Sequence, residues 1–494
     1  MLFNSLAFLI FFPVVTAAYF ILPHRQRWAL LLLASCVFYM YAIPKYIIIL
    51  AISIVIDYVA GILIEDAPPA RRRTMLIVSI FANVGLLVIF KYCRFFNDNV
   101  VRLAEILHWN YPYHDLLKSV VLPVGLSFHT FQAMSYTIEV YRGHQRAERH
   151  FGIYALYVMF YPQLVAGPIE RPQNLLHQFR EYHAFEYRRV SDGLKRMLWG
   201  MFKKVVIADR LYNIVTPVYD HPHQYGGLAP LVATVFFAFQ IYCDFSGYSD
   251  IAIGSAQVMG FKLMENFRRP YFSKSIAEFW TRWHISLSTW FKDYLYISLG
   301  GNRVAKWKWY RNLMIVFLVS GFWHGAAWTY IIWGFLHGMY LILALVTRHW
   351  RARVANMTGL ARHPRLHDCW KVTVTFTLVT LGWIFFRAES LHDALYITRH
   401  LFSGIGQFFA AIAHGVPVAA ASGLDKLLSP QDFVVAICVI LSLEVVHLIQ
   451  RHVTLEDFTT RWSAPMRWLS YEVAVLAIVF LGEFGQQKFI YFQF

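Results

Sequence analysis

The sequence predicts an all-α, polytopic membrane protein. Of its 494 residues, 58% are hydrophobic and 15% are charged, whereas soluble domains average about 45–50% and about 25%. Apolar runs recur from residue 2 to residue 481, and the mean hydropathy is +0.44. A chain with this pattern has lipid as its main solvent. The composition therefore excludes a soluble enzyme, a disordered chain and a coiled coil.

The charge balance points to the membrane surface rather than to nucleic acid. Lys and Arg number 45 against 29 Asp and Glu, which gives a net charge of +16. In a polytopic membrane protein such an excess sits in cytoplasmic loops and meets anionic lipid headgroups. We therefore expect membrane lipids as a partner and no nucleic acid. The five cysteines form no CxxC pair and predict neither a disulfide framework nor a zinc knuckle.

The first apolar window, 2–22, predicts a retained membrane helix. No Lys or Arg precedes it, so the positive region of a secretory signal is missing. Arg25 and Arg27 follow it directly, which places the next loop in the cytoplasm and the N-terminus outside.

Further apolar windows continue along the rest of the chain. They lie at 28–43, 46–64, 75–90, 119–140, 151–166, 195–215, 228–247, 310–346, 370–386, 393–413, 432–450 and 468–482. Several fall short of the about 20 residues that a straight span needs, so some must be tilted, re-entrant or interfacial. We expect about ten to thirteen membrane helices in one integral membrane domain, 1–494. The window 310–346 should hold one span and part of a second, broken around Gly321, Gly325, Gly334 and Gly338.

If successive spans cross the membrane in alternate directions, the basic loops fall on the cytoplasmic side only in the first third of the chain. By counting spans, the basic loops 24–27, 65–73 and 141–150 all fall inside. The next connection, 167–196, falls outside yet carries six Lys or Arg. Because a short basic loop seldom crosses a membrane, either window 151–166 is re-entrant or one span is miscounted.

Segment 262–311 is the most informative stretch. It holds ten Lys or Arg against three Asp or Glu, an excess that belongs on the cytoplasmic face. Apolar residues recur within it at helical spacing and predict one amphipathic helix over 275–291. His284 falls at the edge of the apolar stripe of that helix, with Trp280 and Ser288 one turn to either side.

His324 is the strongest candidate for chemistry. It lies between two apolar runs, and no charged residue occurs between Arg311 and Arg348. Burial disfavours the imidazolium, and a neutral imidazole is the form that a general base needs. From spacing alone, a core histidine bonded to a neighbouring helix is an equally good interpretation.

Other kinds of site have weaker support. His337 follows His324 by thirteen residues, about 220° away on a continuous helix, so the two share a face only if the glycines break the helix. No HExxH, GxSxG, Walker or GxGxxG motif occurs, so we expect no metal, although ligands from distant helices stay open as an alternative. Residues 244–250 (DFSGYSD) should cap helices or line a polar cavity.

Several motifs together resemble the membrane-bound O-acyltransferase family. They are residues 166–172 (AGPIERP), 244–250, 269–273 (RPYFS), 278–290 (EFWTRWHISLSTW), 293–297 (DYLYI), 299–303 (LGGNR), 323–325 (WHG) and 489–494 (FIYFQF). The resemblance covers most of the chain. It implies a ring of tilted helices, re-entrant and interfacial helices among them, around a central funnel and tunnel.

The resemblance also implies roles for individual residues. The histidine of the WHG motif is regarded as catalytic in this family, which carries to His324, and the upstream position of the pair carries to His284. His324 would act as a general base or carry the acyl group transiently, and His284 would hydrogen-bond the thioester or orient it. The implied substrate-binding residues are Trp280, Ser288, Asn302, Arg303 and Trp323.

The implied reaction is acetyl transfer from a cytoplasmic thioester toward an exported polysaccharide such as alginate. The donor would be acetyl-coenzyme A or an acyl carrier protein, with no permanently bound cofactor. The expected location is a bacterial inner membrane, with a periplasmic acetyltransferase subunit as partner. The basic excess in 262–311 suits a phosphate-bearing donor, although topology alone explains it as well. The alternative function is a transporter or scaffold subunit whose chemistry belongs to that partner.

Overall fold

The computed structural model describes residues 1–41, 43–109, 111, 123, 125–424, 427, 429–453, 462–485 and 489–490. Within these ranges every regular element is helical, which confirms the all-α prediction. Residues 491–494 of the C-terminal motif, and 119–122 and 124 of the window 119–140, lie outside the described residues.

The N-terminal half of the chain contributes eleven α-helices within the described residues. They are α1 (Leu6–Ile21), α2 (His24–Met40), α3 (Ile47–Asp66), α4 (Pro69–Leu87), α5 (Cys93–Ile106), α6 (Leu126–Tyr141), α7 (Phe151–Met159), α8 (Pro172–Leu175), α9 (Tyr187–Met201), α10 (Asp209–Asp220) and α11 (Ala229–Met259). Wider π-helical turns extend α4 at Val88–Tyr92 and α9 at Phe202–Ala208.

The C-terminal half contributes eleven more in the part of the chain that is described. They are α12 (Ile276–Arg282), α13 (Ile285–Trp290), α14 (Lys306–His324), α15 (Trp328–Val346), α16 (Arg348–Met357), α17 (Pro364–Arg387), α18 (Leu391–His400), α19 (Ile405–Ala413), α20 (Val418–Ala421), α21 (Pro430–Ile449) and α22 (Ala464–Leu481).

Seven helices in the described ranges are long and apolar enough to cross a membrane. They span Pro44–Asp66, Pro69–Ile106, Ala229–Met259, Trp328–Val346, Pro364–Arg387, Pro430–Ile449 and Ala464–Leu481, and the apolar helix Leu6–Ile21 is shorter. The chain is therefore a multi-pass membrane protein. The finer count of ten to thirteen membrane helices stays a prediction.

The described residues fall into two compact units. The first comprises 1–199 and 248–264, and the second comprises 200–247 and 265–490. His284, His324 and the other five predicted site residues all belong to the second unit. A single integral membrane domain over 1–494 stays a prediction.

In the first unit, the length of α7 helps to explain why the basic connection 167–196 falls outside when the spans are counted. It has nine residues, about 13 Å of helix, against a hydrocarbon core about 30 Å thick. Buried turns follow it at 161–166. The window 151–166 therefore does not cross as one straight helix, which favours the re-entrant alternative.

In the second unit, α14 and α15 pack backbone against backbone. A Cβ atom on Gly321 would lie 2.3 Å from the Tyr330 carbonyl oxygen, and one on Gly334 would lie 2.3 Å from that of Phe317. The predicted break of the window 310–346 is confirmed at Gly325, between the two helices. Gly321, Gly334 and Gly338 do not break the helices; they lie within them.

The prediction of one helix over 275–291 is wrong. The chain leaves the helix after Arg282, and His284 has the left-handed backbone angles φ 43° and ψ 56°. Asn266 holds this break: its carbonyl oxygen accepts the Ile285 N–H at 2.9 Å, and its side-chain Oδ1 accepts the Ser286 N–H at 3.3 Å. Left-handed angles in a non-glycine residue cost about 1–3 kcal/mol and persist where the surroundings impose them.

Candidate active site

His324 is the last residue of α14 and lies within a shell of aromatic rings. Its side chain is buried. The ring centroids of Trp323, Trp333 and Phe386 lie 4.9, 5.0 and 5.3 Å from its own. The helix ends here because Gly325 is extended, with φ −162° and ψ 151°. The sequence-predicted catalytic histidine is thus held at a helix break inside apolar packing.

His284 is completely buried, so its predicted place at the edge between buried and polar surface is wrong. Its Nδ1 lies 3.1 Å from Oδ1 of Asn266. That oxygen also accepts from the N–H and the hydroxyl of Ser286, which identifies it as the amide oxygen. Because an amide oxygen can only accept a hydrogen bond, Nδ1 carries the hydrogen and donates it. The remaining nitrogen, Nε2, is then the proton acceptor of the neutral ring.

Burial determines the protonation state of His284. It lowers the pKa of the imidazole to about 3, because desolvation disfavours the charged form. Phe245 packs edge-on at 4.6 Å and Phe267 lies at 6.5 Å. His284 is therefore neutral across the physiological pH range.

Trp323 connects the two histidines. Its ring lies 4.9 Å from that of His324 and 6.5 Å from that of His284. The structure thus brings three of the predicted site residues into one cluster, which we call the histidine cluster: His284, Trp323 and His324. It has the residue types of an acid–base site enclosed by apolar walls.

His337 belongs to the same aromatic packing, which the periodicity of a continuous helix did not predict. The break at Gly325 turns the chain back, so α15 runs beside α14. The Trp333 ring then lies 5.0 Å from His324 and 5.0 Å from His337. His337 is completely buried, and among the described residues neither of its ring nitrogens has a hydrogen-bond partner. The glycines were the signal for this arrangement.

Trp280 and Ser288 do not flank His284 as predicted, because the helix breaks between them. The Trp280 ring lies 5.0 Å from His337 and 5.7 Å from Trp333. The Ser288 hydroxyl donates to the Trp283 carbonyl at 3.1 Å, which ties α13 to the end of α12. Their substrate-binding role stays a prediction.

Asn302 and Arg303 lie at the other end of α14 from His324. Both are exposed, in a turn where the Arg303 N–H donates to the Gly300 carbonyl at 3.2 Å. The 19 residues of α14 make a helix about 28 Å long. These two side chains are thus outside the histidine cluster, and a role in binding substrate there would concern a part of the substrate remote from the reacting bond.

Asp244 of the DFSGYSD motif lies inside α11 and caps no helix, contrary to one predicted role. Its Oδ1 lies 2.6 Å from Nζ of Lys204, which also lies 2.7 Å from Oδ1 of Asp209. Its Oδ2 accepts the Ile490 N–H at 2.8 Å. Burial, opposed by Lys204, raises the pKa of Asp209 to about 7. This motif therefore holds a buried ion network that includes a backbone bond to the C-terminal segment.

Comparison with known proteins identifies the family of this chain. Residues 143–387 match the model of the membrane-bound O-acyltransferase family. The chain is 40% identical over 406 residues to a probable alginate O-acetylase of Pseudomonas aeruginosa, covering 82% of this chain and 75% of that protein. It is 38% identical over 432 residues to a peptidoglycan O-acetyltransferase of Helicobacter pylori, covering 81% and 79%.

A more distant relative has a different acyl group in its name. A teichoic acid D-alanyltransferase of Bacillus subtilis is 28% identical over 298 residues, covering 57% of this chain and 72% of that protein. The family model covers α7 to α17 and includes both histidines of the cluster. The chain therefore belongs to the membrane-bound O-acyltransferase family and is an O-acyltransferase.

Proposed function

We propose that this protein moves an acetyl group from a cytoplasmic thioester toward the hydroxyl groups of an exported polysaccharide, with His324 as the general base. The observation that carries the proposal is the histidine cluster, in which Trp323 contacts both imidazoles inside an apolar shell. The names of the alginate and peptidoglycan relatives support acetyl as the group and a polysaccharide as the final acceptor.

The proposed step balances without a metal or redox partner. His324 takes the proton of the attacking hydroxyl while the oxygen of that hydroxyl bonds to the acyl carbon. The carbon–sulfur bond of the thioester then breaks, and the proton passes to the departing thiolate. In the alternative route, a ring nitrogen of His324 attacks the acyl carbon, the carbon–sulfur bond breaks and the thiolate leaves. The hydroxyl then attacks the acetyl group on the imidazole, its proton passes to the thiolate, and His324 is released. A positioned general base contributes about 10²–10⁴ in rate.

The Asn266 bond narrows the role proposed for His284. With Nδ1–H donated to Asn266, the neutral ring presents Nε2 only as an acceptor. His284 is therefore suited to accept a hydrogen bond from a hydroxyl or from an amide of the donor arm. It is not suited to donate one to the thioester carbonyl. We propose that it orients the acceptor hydroxyl or the donor arm.

Donor, location and partner follow from the same chemistry. A coenzyme A or acyl carrier thioester is made in the cytoplasm, so we place the protein in a bacterial inner membrane with the donor entering from that side. The exposed Arg303 and the basic segment 262–311 suit the phosphates of such a donor. An exported polymer lies beyond the membrane, so we propose that a periplasmic acetyltransferase subunit takes up the acetyl group.

The test measures transfer of labelled acetyl to alginate by the purified protein in lipid nanodiscs, with and without the periplasmic subunit. Acetyl-coenzyme A and acetyl acyl carrier protein serve as alternative donors. We expect His324→Ala and His324→Gln each to lower the transfer rate at least about 100-fold. The control is His414→Ala, which removes an exposed imidazole. A folded His324→Gln variant that transfers acetyl at the normal rate would overturn the assignment. Acetyl transfer that requires the partner subunit and that His324→Ala leaves unchanged would favour the scaffold alternative.

A further inference from the structure

Three residues with metal-binding side chains meet where the chain leaves α10 and where α18 begins. His223 lies in the short turn Pro222–Gln224, and His392 and Asp393 lie in the first turn of α18. Nε2 of His223 is 3.7 Å from Oδ1 of Asp393, and Nδ1 of His392 is 3.8 Å from the same oxygen. All three ligand atoms lie within 4.8 Å of one another. We call these residues the surface triad.

Neighbouring side chains orient two members of the triad. The Ser390 hydroxyl donates to Oδ2 of Asp393 at 2.5 Å, and it accepts the Asp393 N–H at 3.1 Å. The other carboxylate oxygen, Oδ1, therefore faces the two imidazoles. The ring of His223 packs against Tyr396 at 4.1 Å. This support resembles the outer contacts that hold metal ligands in place.

The distances fit a metal better than they fit direct hydrogen bonds. At 3.7 and 3.8 Å, both nitrogen–oxygen distances exceed the 2.7–3.2 Å of a hydrogen bond. Bonds of about 2.0–2.1 Å to a tetrahedral zinc ion hold neighbouring ligand atoms about 3.4 Å apart. The imidazoles are exposed, so small side-chain rotations close the difference. Two imidazoles and one carboxylate are a donor set that suits zinc.

We propose that His223, His392 and Asp393 bind a divalent transition-metal ion such as Zn²⁺, with water as a further ligand. Such an ion would tie the connection after α10 to the start of α18, two segments more than 160 residues apart in the sequence. An ion pair of 2.9 Å between Arg387 and Asp220 already joins the ends of α17 and α10 beside it. Phe386, next to Arg387, contacts His324 at 5.3 Å. Occupancy would therefore brace the wall of the histidine cluster.

The test uses untagged, full-length protein in detergent, stripped with a chelator and titrated with zinc sulfate. We expect one zinc ion per chain by elemental analysis. His223→Ala and His392→Ala should weaken zinc binding at least tenfold, whereas His349→Ala, which removes an exposed imidazole on α16, should leave it unchanged. Magnesium should not compete, because it prefers oxygen ligands.

Zinc should also raise the thermal midpoint of the wild type and of His349→Ala, and not that of His223→Ala. The midpoint of each variant with zinc is compared with its own midpoint without zinc, because His223→Ala also removes the ring contact with Tyr396. Absence of zinc binding by the wild type would overturn the proposal. Equal zinc affinity of wild type, His223→Ala and His392→Ala, or magnesium binding as tight as zinc binding, would also overturn it.

Discussion

Nδ1 of His284 lies 3.1 Å from Oδ1 of Asn266, a residue eighteen positions earlier in the chain. The main-chain carbonyl oxygen of the same asparagine accepts a hydrogen bond from the backbone N–H of Ile285. One residue therefore both breaks the helix at His284 and selects the tautomer of the imidazole. This double role leads to the first prediction.

Asn266→Ala should lower both stability and acetyl transfer. The change leaves the buried Nδ1–H of His284 and the hydroxyl of Ser286 without this acceptor, at a cost of about 1–3 kcal/mol. The measurements are the thermal midpoint and the transfer rate. Asn356→Ala, at an exposed position of α16, should change neither. If Asn266→Ala melts and reacts like the wild type, Asn266 does not position His284.

Acidification should destabilise the protein partly through His284. Its pKa is about 3 in the folded state and about 6.5 in an unfolded chain, so below pH 6.5 the unfolded state binds the extra proton. The stability that depends on the neutral ring is complete above about pH 6.5 and is lost progressively as the pH falls toward 3.

The variant His284→Gln should therefore lose less stability than the wild type between about pH 7 and pH 4.5. The measurement is the thermal midpoint across this range. His349→Ala serves as the control and should follow the wild-type slope. An equally steep slope in His284→Gln would show that this imidazole is not the group responsible.

Gly334→Ala should disrupt the pairing of α14 with α15. The new methyl group would lie 2.3 Å from the Phe317 carbonyl oxygen, so the helices must separate and Trp333 must move relative to His324. We expect a loss of about 1–3 kcal/mol in stability and a lower transfer rate. Gly85→Ala is the matched control, because no heavy atom lies within 4 Å of its new Cβ. A wild-type thermal midpoint for Gly334→Ala would contradict this packing.

Arg303→Ala should raise KM for acetyl-coenzyme A and leave kcat nearly unchanged. Arg303 is exposed and lies three residues before the start of α14, a helix about 28 Å long that ends at His324, so we expect it to contact only a remote part of the donor. Loss of such binding weakens ground state and transition state equally. Initial rates over a range of donor concentrations separate the two constants. Arg146→Ala, another exposed arginine, should alter neither, and an unchanged KM in Arg303→Ala would remove Arg303 from the donor site.

The amino-acid sequence by itself determined that the chain is a membrane protein, which family it belongs to and which residue is the strongest catalytic candidate. Hydropathy and low charge predicted membrane helices because lipid forces every span to be apolar. The WHG motif singled out His324 from the other histidines, and the glycines nearby predicted a break in the window 310–346. The apolar windows and the glycines are local features that residue type and spacing reveal. The catalytic role of His324 came from the family motif, because spacing alone fitted a core histidine equally well.

The tertiary structure decided everything that joins distant segments. Helical periodicity predicted a continuous helix through His284, but Asn266 breaks it from a neighbouring segment. The reversal at Gly325 brought His337 against Trp333, and packing joined His223 to His392. Periodicity records only which side chains share a face of one helix. Which helices meet depends on how their surfaces pack and on where buried polar groups find partners, and that information is distributed over the whole chain.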